Sequence, residues 1–180
     1  MKPTLIMITG ALAAMKSTFA EALSGHLKCQ VFRKDDAKEI MVDAMGDVTA
    51  LQKKKCSIAA VHLIHHYALQ ALKTDHVVII EANFKSDEQI RIDRLCETFN
   101  YTLMVIELTA TFDCLYARYL ARETSRHRAH QSVNPMSEEA FKAMINEHSA
   151  IHATLRFDTT HWLDVGYSQE LETVRTRIHR

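Results

Sequence analysis

The sequence predicts an α/β fold in which a parallel sheet is covered by helices on both faces. Three observations predict it. Short apolar runs alternate with helical patterns along the chain, as they do where crossover helices join parallel strands. The first run, Leu5 to Ile8, is apolar throughout, as a strand buried on both faces must be. The stretch that follows, Thr9-Gly10-Ala11-Leu12-Ala13-Ala14-Met15-Lys16-Ser17-Thr18, leads from that strand into a helical pattern. Strand, tight loop, Lys-Ser-Thr and helix make the layout of a phosphate-binding loop, or P-loop.

The bulk composition narrows the classes of function. A chain of 180 residues suffices for a proper core, and we expect a single domain over residues 1–180. Its 22 basic and 22 acidic residues balance, so no overall charge draws it to nucleic acid or to an anionic membrane. Any anion site must be local. Cys29, Cys56, Cys96 and Cys114 lie far apart with no C-x-x-C pair, which fits free thiols in a reducing cytoplasm. Lys2, the apolar run and Ala11-Leu12-Ala13 imitate a signal peptide, but Lys16-Ser17-Thr18 fits a P-loop better than a cleavage region. No apolar run reaches the roughly 20 residues that span a bilayer.

The elements follow in order. A helix after the loop runs from Phe19 and is expected to stop near Gly25-His26, since glycine terminates helices. Cys29–Phe32 reads as a second strand, with Asp35 or Asp36 as cap of the next helix. Residues 49–73 read as one long helix, because Ile58, Val61, His65, Ala68 and Leu72 recur at three- and four-residue steps. Val77–Ile80 is a buried strand rich in β-branched residues. Ser86 with Gln89 predicts a capping box for a helix to Phe99. Tyr101–Leu108 is the next strand, and a helix runs from about Thr111 to Glu123. The polar, Arg- and His-rich stretch at 124–135 reads as a lid loop, and Ser137 starts another helix. His161–Val165 reads as the last strand and Gln169–His179 as the last helix.

The candidate site begins with the P-loop. Backbone N–H groups from Gly10, Ala11, Leu12, Ala13, Ala14, Met15 and on to Thr18 would converge on phosphate oxygens at a helix N-terminus. Lys16 would reach the β- and γ-phosphates, and the Ser17 hydroxyl would ligate Mg²⁺. Met15 stands where the spacing expects a second glycine. If that position needs a positive φ, Met15 carries strain of roughly 1–3 kcal/mol; an ordinary helical geometry would carry none.

Two carboxylates fall at strand C-terminal ends, where parallel sheets gather their ligands. Asp35, after the second strand, is the candidate base for an acceptor hydroxyl, with Asp36 as its neighbouring competitor. Lys38, one turn on, could hold an anionic part of the acceptor. Glu81, after the third strand, could bind Mg²⁺ through water or touch the acceptor, with Asn83 close by. Arg118, Arg122 and Arg126 are spaced by four and line one face if the helix continues that far. Such a cluster, with Arg128 beyond it, can cover transferred phosphate. His62, His65 and His66 share a helix, and His127 pairs with His130. Neither set has a completing Cys or acidic ligand, so core or surface roles are the better reading.

At these residues the sequence resembles the small P-loop kinases related to the kinase domain of polynucleotide kinase, chloramphenicol phosphotransferase and zeta-type toxins. It looks most like the bacterial members of that group assigned as kinases from sequence. The matching pieces are Gly10 to Thr18, Phe32 to Glu39, Ile79 to Phe84, and Arg118 through His130. The resemblance implies an adenylate-kinase-like core with a five-stranded parallel sheet and a short lid. It implies ATP with Mg²⁺ as donor, Asp35 as the acid that activates the acceptor hydroxyl, and Lys38 as a substrate contact. Lys16, Arg122 and Arg126 complete the expected catalytic set. Arg126-His127-Arg128-Ala129-His130 resembles the lid's Arg-His-x-x-His pattern. The expected activity is transfer of the γ-phosphate to a hydroxyl of a small-molecule or nucleoside-like acceptor, with no membrane partner. A nucleotide-binding protein with weak turnover, owing to Met15, is one alternative. A polynucleotide 5′-hydroxyl kinase is another, and the neutral charge speaks against it.

Overall fold

Thr4–Gly10 forms β1 and lies at the centre of the sheet. The computed structural model describes residues 2–131, 135–146, 150 and 152–178. In chain order the remaining elements are α1 (Lys16–Leu27), β2 (Gln30–Arg33), α2 (Lys34–Met45), α3 (Ala50–Ala71), β3 (Val77–Glu81) and α4 (Ser86–Phe99). They continue with β4 (Thr102–Thr109), α5 (Phe112–Glu123), α6 (Glu138–Asn146), β5 (Leu155–Asp158), α7 (Trp162–Val165) and α8 (Ser168–Ile178). The five strands pair in parallel in the order β2-β3-β1-β4-β5. This is the α/β fold the alternation predicts. No helix among the described residues is long and apolar enough to cross a membrane.

Strand alternation divides the core into two layers. Ile6 and Ile8 of β1 pack on one face with Phe19, Leu23, Tyr119, Phe141 and Trp162. Leu5 and Met7 pack on the other with Val61, Ile64, Phe84 and Ile92. Successive side chains of a strand point to opposite faces, so an uninterrupted apolar run is what a doubly covered central strand requires. The register sets Ile8 beside Glu81 and Gly10 beside Leu108. The C-terminal ends of β1, β2 and β3 thus deliver the loop, the start of α2 and Glu81 to one edge of the sheet.

Gly10 is required by a close approach. Its φ is +128°, and a Cβ there would lie 2.0 Å from the Leu108 carbonyl oxygen. Backbone rather than a movable side chain fills the space, so β1 and β4 would have to separate to admit even a methyl group.

Several boundaries differ from the sequence reading. The last strand is Leu155–Asp158, and His161–Val165 falls in a helical turn instead. Trp162 is the reason: its ring packs 5.1 Å from both Phe19 and Tyr167, which one helical turn allows and a strand at the sheet edge does not. β5 is held to β4 by Arg156 Nε, which donates to the buried Glu107 carboxylate at 2.6 Å. α1 runs through Gly25 to Leu27 and closes on Lys28 in the left-handed region, φ 54°. At α4 the cap is one residue earlier than Ser86: Lys85 N–H donates to Glu88 at 2.8 Å. Gln89 instead donates to the Phe84 carbonyl at 3.0 Å. Neither Asp35 nor Asp36 caps α2; both sit in its first turn after Arg33. Ser137 does act as predicted, with its hydroxyl accepting from Ala140 N–H. Residues 132–134 of the expected lid, and His179, lie outside the described residues.

Replacing Gly10 with alanine is expected to cost about 3–5 kcal/mol, combining overlap in a close-packed interior with unfavourable φ. Urea unfolding of Gly10→Ala against the unmodified protein measures it.

Candidate active site

The loop between β1 and α1 keeps a phosphate-binding shape with few glycines. Ala13 and Met15 both take positive φ, 65° and 59°. Met15 is therefore in the left-handed geometry that the missing glycine would take, not in ordinary helical geometry. An L-residue there costs roughly 1–2 kcal/mol. The core sustains it: Ala11, Ala13 and Ala14 are buried in the first hydrophobic layer, and Leu12 and Met15 pack against it. Met15 offers α1 no side-chain cap, so the first-turn N–H groups of α1 remain available to an anion.

Residues Leu12 to Thr18 form one wall of a cavity of about 460 Å³. The opposite walls come from Lys34, Asp35 and Lys38 of α2, Glu81 to Asn83 after β3, and Arg122, Arg126 and His130. Of the candidates the sequence offered, Leu12 to Thr18, Asp35, Lys38, Glu81, Asn83, Arg122 and Arg126 line this cavity; Gly10, whose role is the close approach to β4, Ala11, Asp36, Arg118 and Arg128 do not. Ala11 contributes through its carbonyl, which accepts from Lys16 Nζ at 2.8 Å.

Lys16 is buried. Burial pulls its pKa down to about 8, against the opposing attraction of Glu81 and Asp35. Glu81 is also buried, and desolvation raises its carboxyl above the ordinary range while the Lys16 charge opposes it. The Ser17 hydroxyl donates to Glu81 Oε2 at 3.1 Å. A hydroxyl and a buried carboxylate side by side are hard oxygen donors, and Mg²⁺ commonly takes one or two protein oxygens with the rest from phosphate and water. The pair fits that ion. No group of three or more His, Cys, Asp or Glu side chains with metal-holding geometry occurs among the described residues. His62 instead lies 3.1 Å from Arg91, and His65 stacks on Phe84.

Asp35 is half exposed, with 52% of its side-chain surface open. Burial would raise its carboxyl, but His130, Lys34, Lys16 and Lys38 outweigh that and hold it below the usual carboxylate range. It is therefore ionised at neutral pH. Burial lowers the Arg122 guanidinium, reinforced by Arg126, and Arg122 makes no side-chain hydrogen bond among the described residues. Arg126 pairs with Glu123. Arg118 does not join them: it donates to Thr159 Oγ1 and to the carbonyls of Thr159 and Thr160. α5 ends at Glu123, so the face predicted through Arg126 is broken, and Arg126 reaches the cavity from the loop.

Sequence reasoning left Lys34, Gln131, Met136 and Met144 out of the site. Lys34 had a readable signal, its position beside Asp35 at a strand end. The two methionines carry no signal in one sequence.

A phosphate-binding loop at the end of the central strand, an acid beside its serine and arginines across the cavity define a P-loop protein of the kinase type. The chain belongs to the AAA domain family, whose sequence profile matches residues 5–151. A candidate kinase from Chloroflexus aurantiacus is similar over 98% of both chains, at 26% identity and a TM-score of 0.86. The fold is also that of the APS kinase of Mycobacterium tuberculosis, solved with AMPPNP and APS, at 12% identity and a TM-score of 0.64 over 99% of both chains. Shikimate kinase from Bacteroides thetaiotaomicron matches at 15% identity and a TM-score of 0.64, over 98% of this chain and 99% of that one. No functionally curated protein matches the sequence.

Two outcomes follow from the loop. Because the left-handed geometry is already in place, Met15→Gly is expected to tighten MgATP by no more than about fivefold, the equivalent of about 1 kcal/mol. Isothermal titration measures this; a hundredfold gain would mean that Met15 distorts the native loop. Binding should also be linked to protons. The free protein holds Lys16 half protonated near pH 8, and bound phosphates would keep it charged. At that pH, MgATP should take up about half a proton, falling toward zero below pH 7. Titration in buffers of different ionisation enthalpy reads the uptake, and Lys16→Arg should abolish it.

Proposed function

We propose that this protein is an ATP-dependent phosphotransferase that moves the γ-phosphate to a hydroxyl of a small-molecule or nucleoside-like acceptor, within a single domain. One observation carries the reading. Lys16, the Ser17–Glu81 pair and Asp35 come from the ends of three neighbouring parallel strands and meet at one cavity.

In this reading the α1 N-terminus and Lys16 hold the β- and γ-phosphates. Ser17 and Glu81 would hold Mg²⁺, directly or through water, and the bound ion would supply positive charge against the phosphate oxygens. Asp35 accepts the hydrogen bond of the acceptor hydroxyl and aims its oxygen at phosphorus. The bond from the γ-phosphorus to the bridging oxygen breaks as the bond to the acceptor oxygen forms. ADP leaves, and the hydroxyl proton goes to Asp35. Because Asp35 is held below the ordinary carboxylate range, it orients the hydroxyl from the start and takes its proton late. Arg122, which has no competing hydrogen bond among the described residues, meets the charge on the transferred group, with Arg126 beside it.

A nucleotide-sensing protein without turnover is the second reading, and Met15 motivates it. The left-handed geometry of Met15 and Ala13 weighs for a working loop instead. Detectable ADP formation by the unmodified chain counts against the sensor.

Asp35→Asn should lower kcat for ADP formation about 10²- to 10⁴-fold while leaving MgATP affinity within twofold. Lys16→Ala should remove both nucleotide binding and transfer. If Lys16→Ala left both intact, the mechanism would be wrong.

A further inference from the structure

Arg128 is not among the residues that line the cavity. Its guanidinium fork is turned instead onto the C-terminal end of α2. Nε donates to Asp43 Oδ1 at 3.0 Å, Nη1 to the Gly46 carbonyl at 2.9 Å and Nη2 to the Val42 carbonyl at 3.0 Å. Val42 lies in the last turn of α2 and Gly46 is its C-cap, where a helix leaves carbonyls without intrahelical partners. A cation there also meets the negative end of the helix dipole. The hydrogen bond from Arg128 holds the Asp43 carboxyl below the ordinary range, so the contact is charge-assisted.

The residues on either side bind the same pair of helices. Ala129 N–H donates to His127 Nδ1 at 3.2 Å, which leaves the ring proton on Nε2. Nε2 then donates to Asp43 Oδ2 at 3.2 Å. The Ala129 side chain is 2% exposed and packs with Val42 of α2 and Cys56 of α3. Lys53 Nζ of α3 donates to the Arg128 carbonyl at 2.7 Å. Residues 127–129 thus form a latch on α2 and α3. The cavity residues Arg126 and His130 flank it.

The latch joins the two sides of the site. α2 carries Asp35, and the lid that follows α5 carries Arg126. Arg128 and Asp43 are about half exposed, with 43% and 54% of their side-chain surfaces open. Exposed ion pairs add little to global stability, so the effect of this one is on where the lid sits. A lysine cannot replace Arg128, because a single ammonium does not reproduce a planar fork with three acceptors.

We infer that Arg128 and Asp43 are positioning residues, whose latch on the C-terminal end of α2 fixes the lid so that Arg126 faces the transferred phosphate while Asp35 faces the acceptor. The catalytic consequence rests on the phosphotransferase reading; the latch itself does not.

Two measurements on the full chain test it. Hydrogen exchange read by mass spectrometry follows the latch without any need for activity. The amides of residues 126–130 should exchange at least tenfold faster in Arg128→Ala and in Asp43→Ala, with exchange in β1 and α1 unchanged. Arg128→Lys keeps the charge, should exchange at least threefold faster, and decides the same point if Arg128→Ala does not fold. Lid exchange equal to that of the unmodified protein overturns the latch. The second measurement is ADP formation from MgATP. Arg128→Ala and Asp43→Ala should each lower kcat at least tenfold, with KM for MgATP within threefold. Because both remove one latch, the double variant should stay within twofold of the slower single variant, whereas independent losses would multiply. A KM raised tenfold or more in Arg128→Ala assigns Arg128 to phosphate and overturns the inference. Multiplied losses, or an unchanged kcat beside faster lid exchange, overturn it as well; all three leave the phosphotransferase reading standing. Faster lid exchange in the variants of a protein that forms no ADP keeps the latch and overturns the phosphotransferase reading.

Discussion

The buried charge of Lys16 is the constraint around which the site is arranged. An ammonium taken out of water must be compensated by its surroundings. Here the Ala11 carbonyl accepts one of its protons, and Glu81 and Asp35 supply negative charge from neighbouring strand ends. The compensation is incomplete, since the pKa still falls to about 8. A phosphate group is what would complete it. The loop must then follow one path, with Ala13 and Met15 held in left-handed backbone. That path persists without the usual glycines because the alanines of the loop are part of the core beneath it.

The central features were legible because each has a local chemical signature. The β1 run is apolar at every position because both of its faces are buried. Lys16-Ser17-Thr18 keeps its spacing because a helix start and a strand end fix it. Asp35 and Glu81 were readable as residues that follow strands, and the parallel topology brings them together. The misread elements depend on distant partners. β5 alternates half-buried and exposed residues over four positions, and it is fixed by Glu107, nearly fifty residues away. Residues 161–165 read as a strand, but packing of Trp162 on Phe19 of α1 and on Tyr167 decides their placement. Arg118 has the right spacing for the cavity, and the Thr159 and Thr160 carbonyls claim it. Spacing along one helix cannot reveal a competitor from another segment.

The cavity's charges also act on one another. Asp35 stays ionised because His130, Lys34, Lys16 and Lys38 surround it. Phosphates on Lys16 would take up part of that positive field. They would let the Asp35 carboxyl rise toward its ordinary range. Before substrates bind, Asp35 is a poor proton acceptor, because the surrounding cations hold its carboxyl low. With both substrates bound it would become a better one, at the stage when the acceptor hydroxyl has a proton to give. The same cations that bind the substrates would thus keep the base weak until they are occupied.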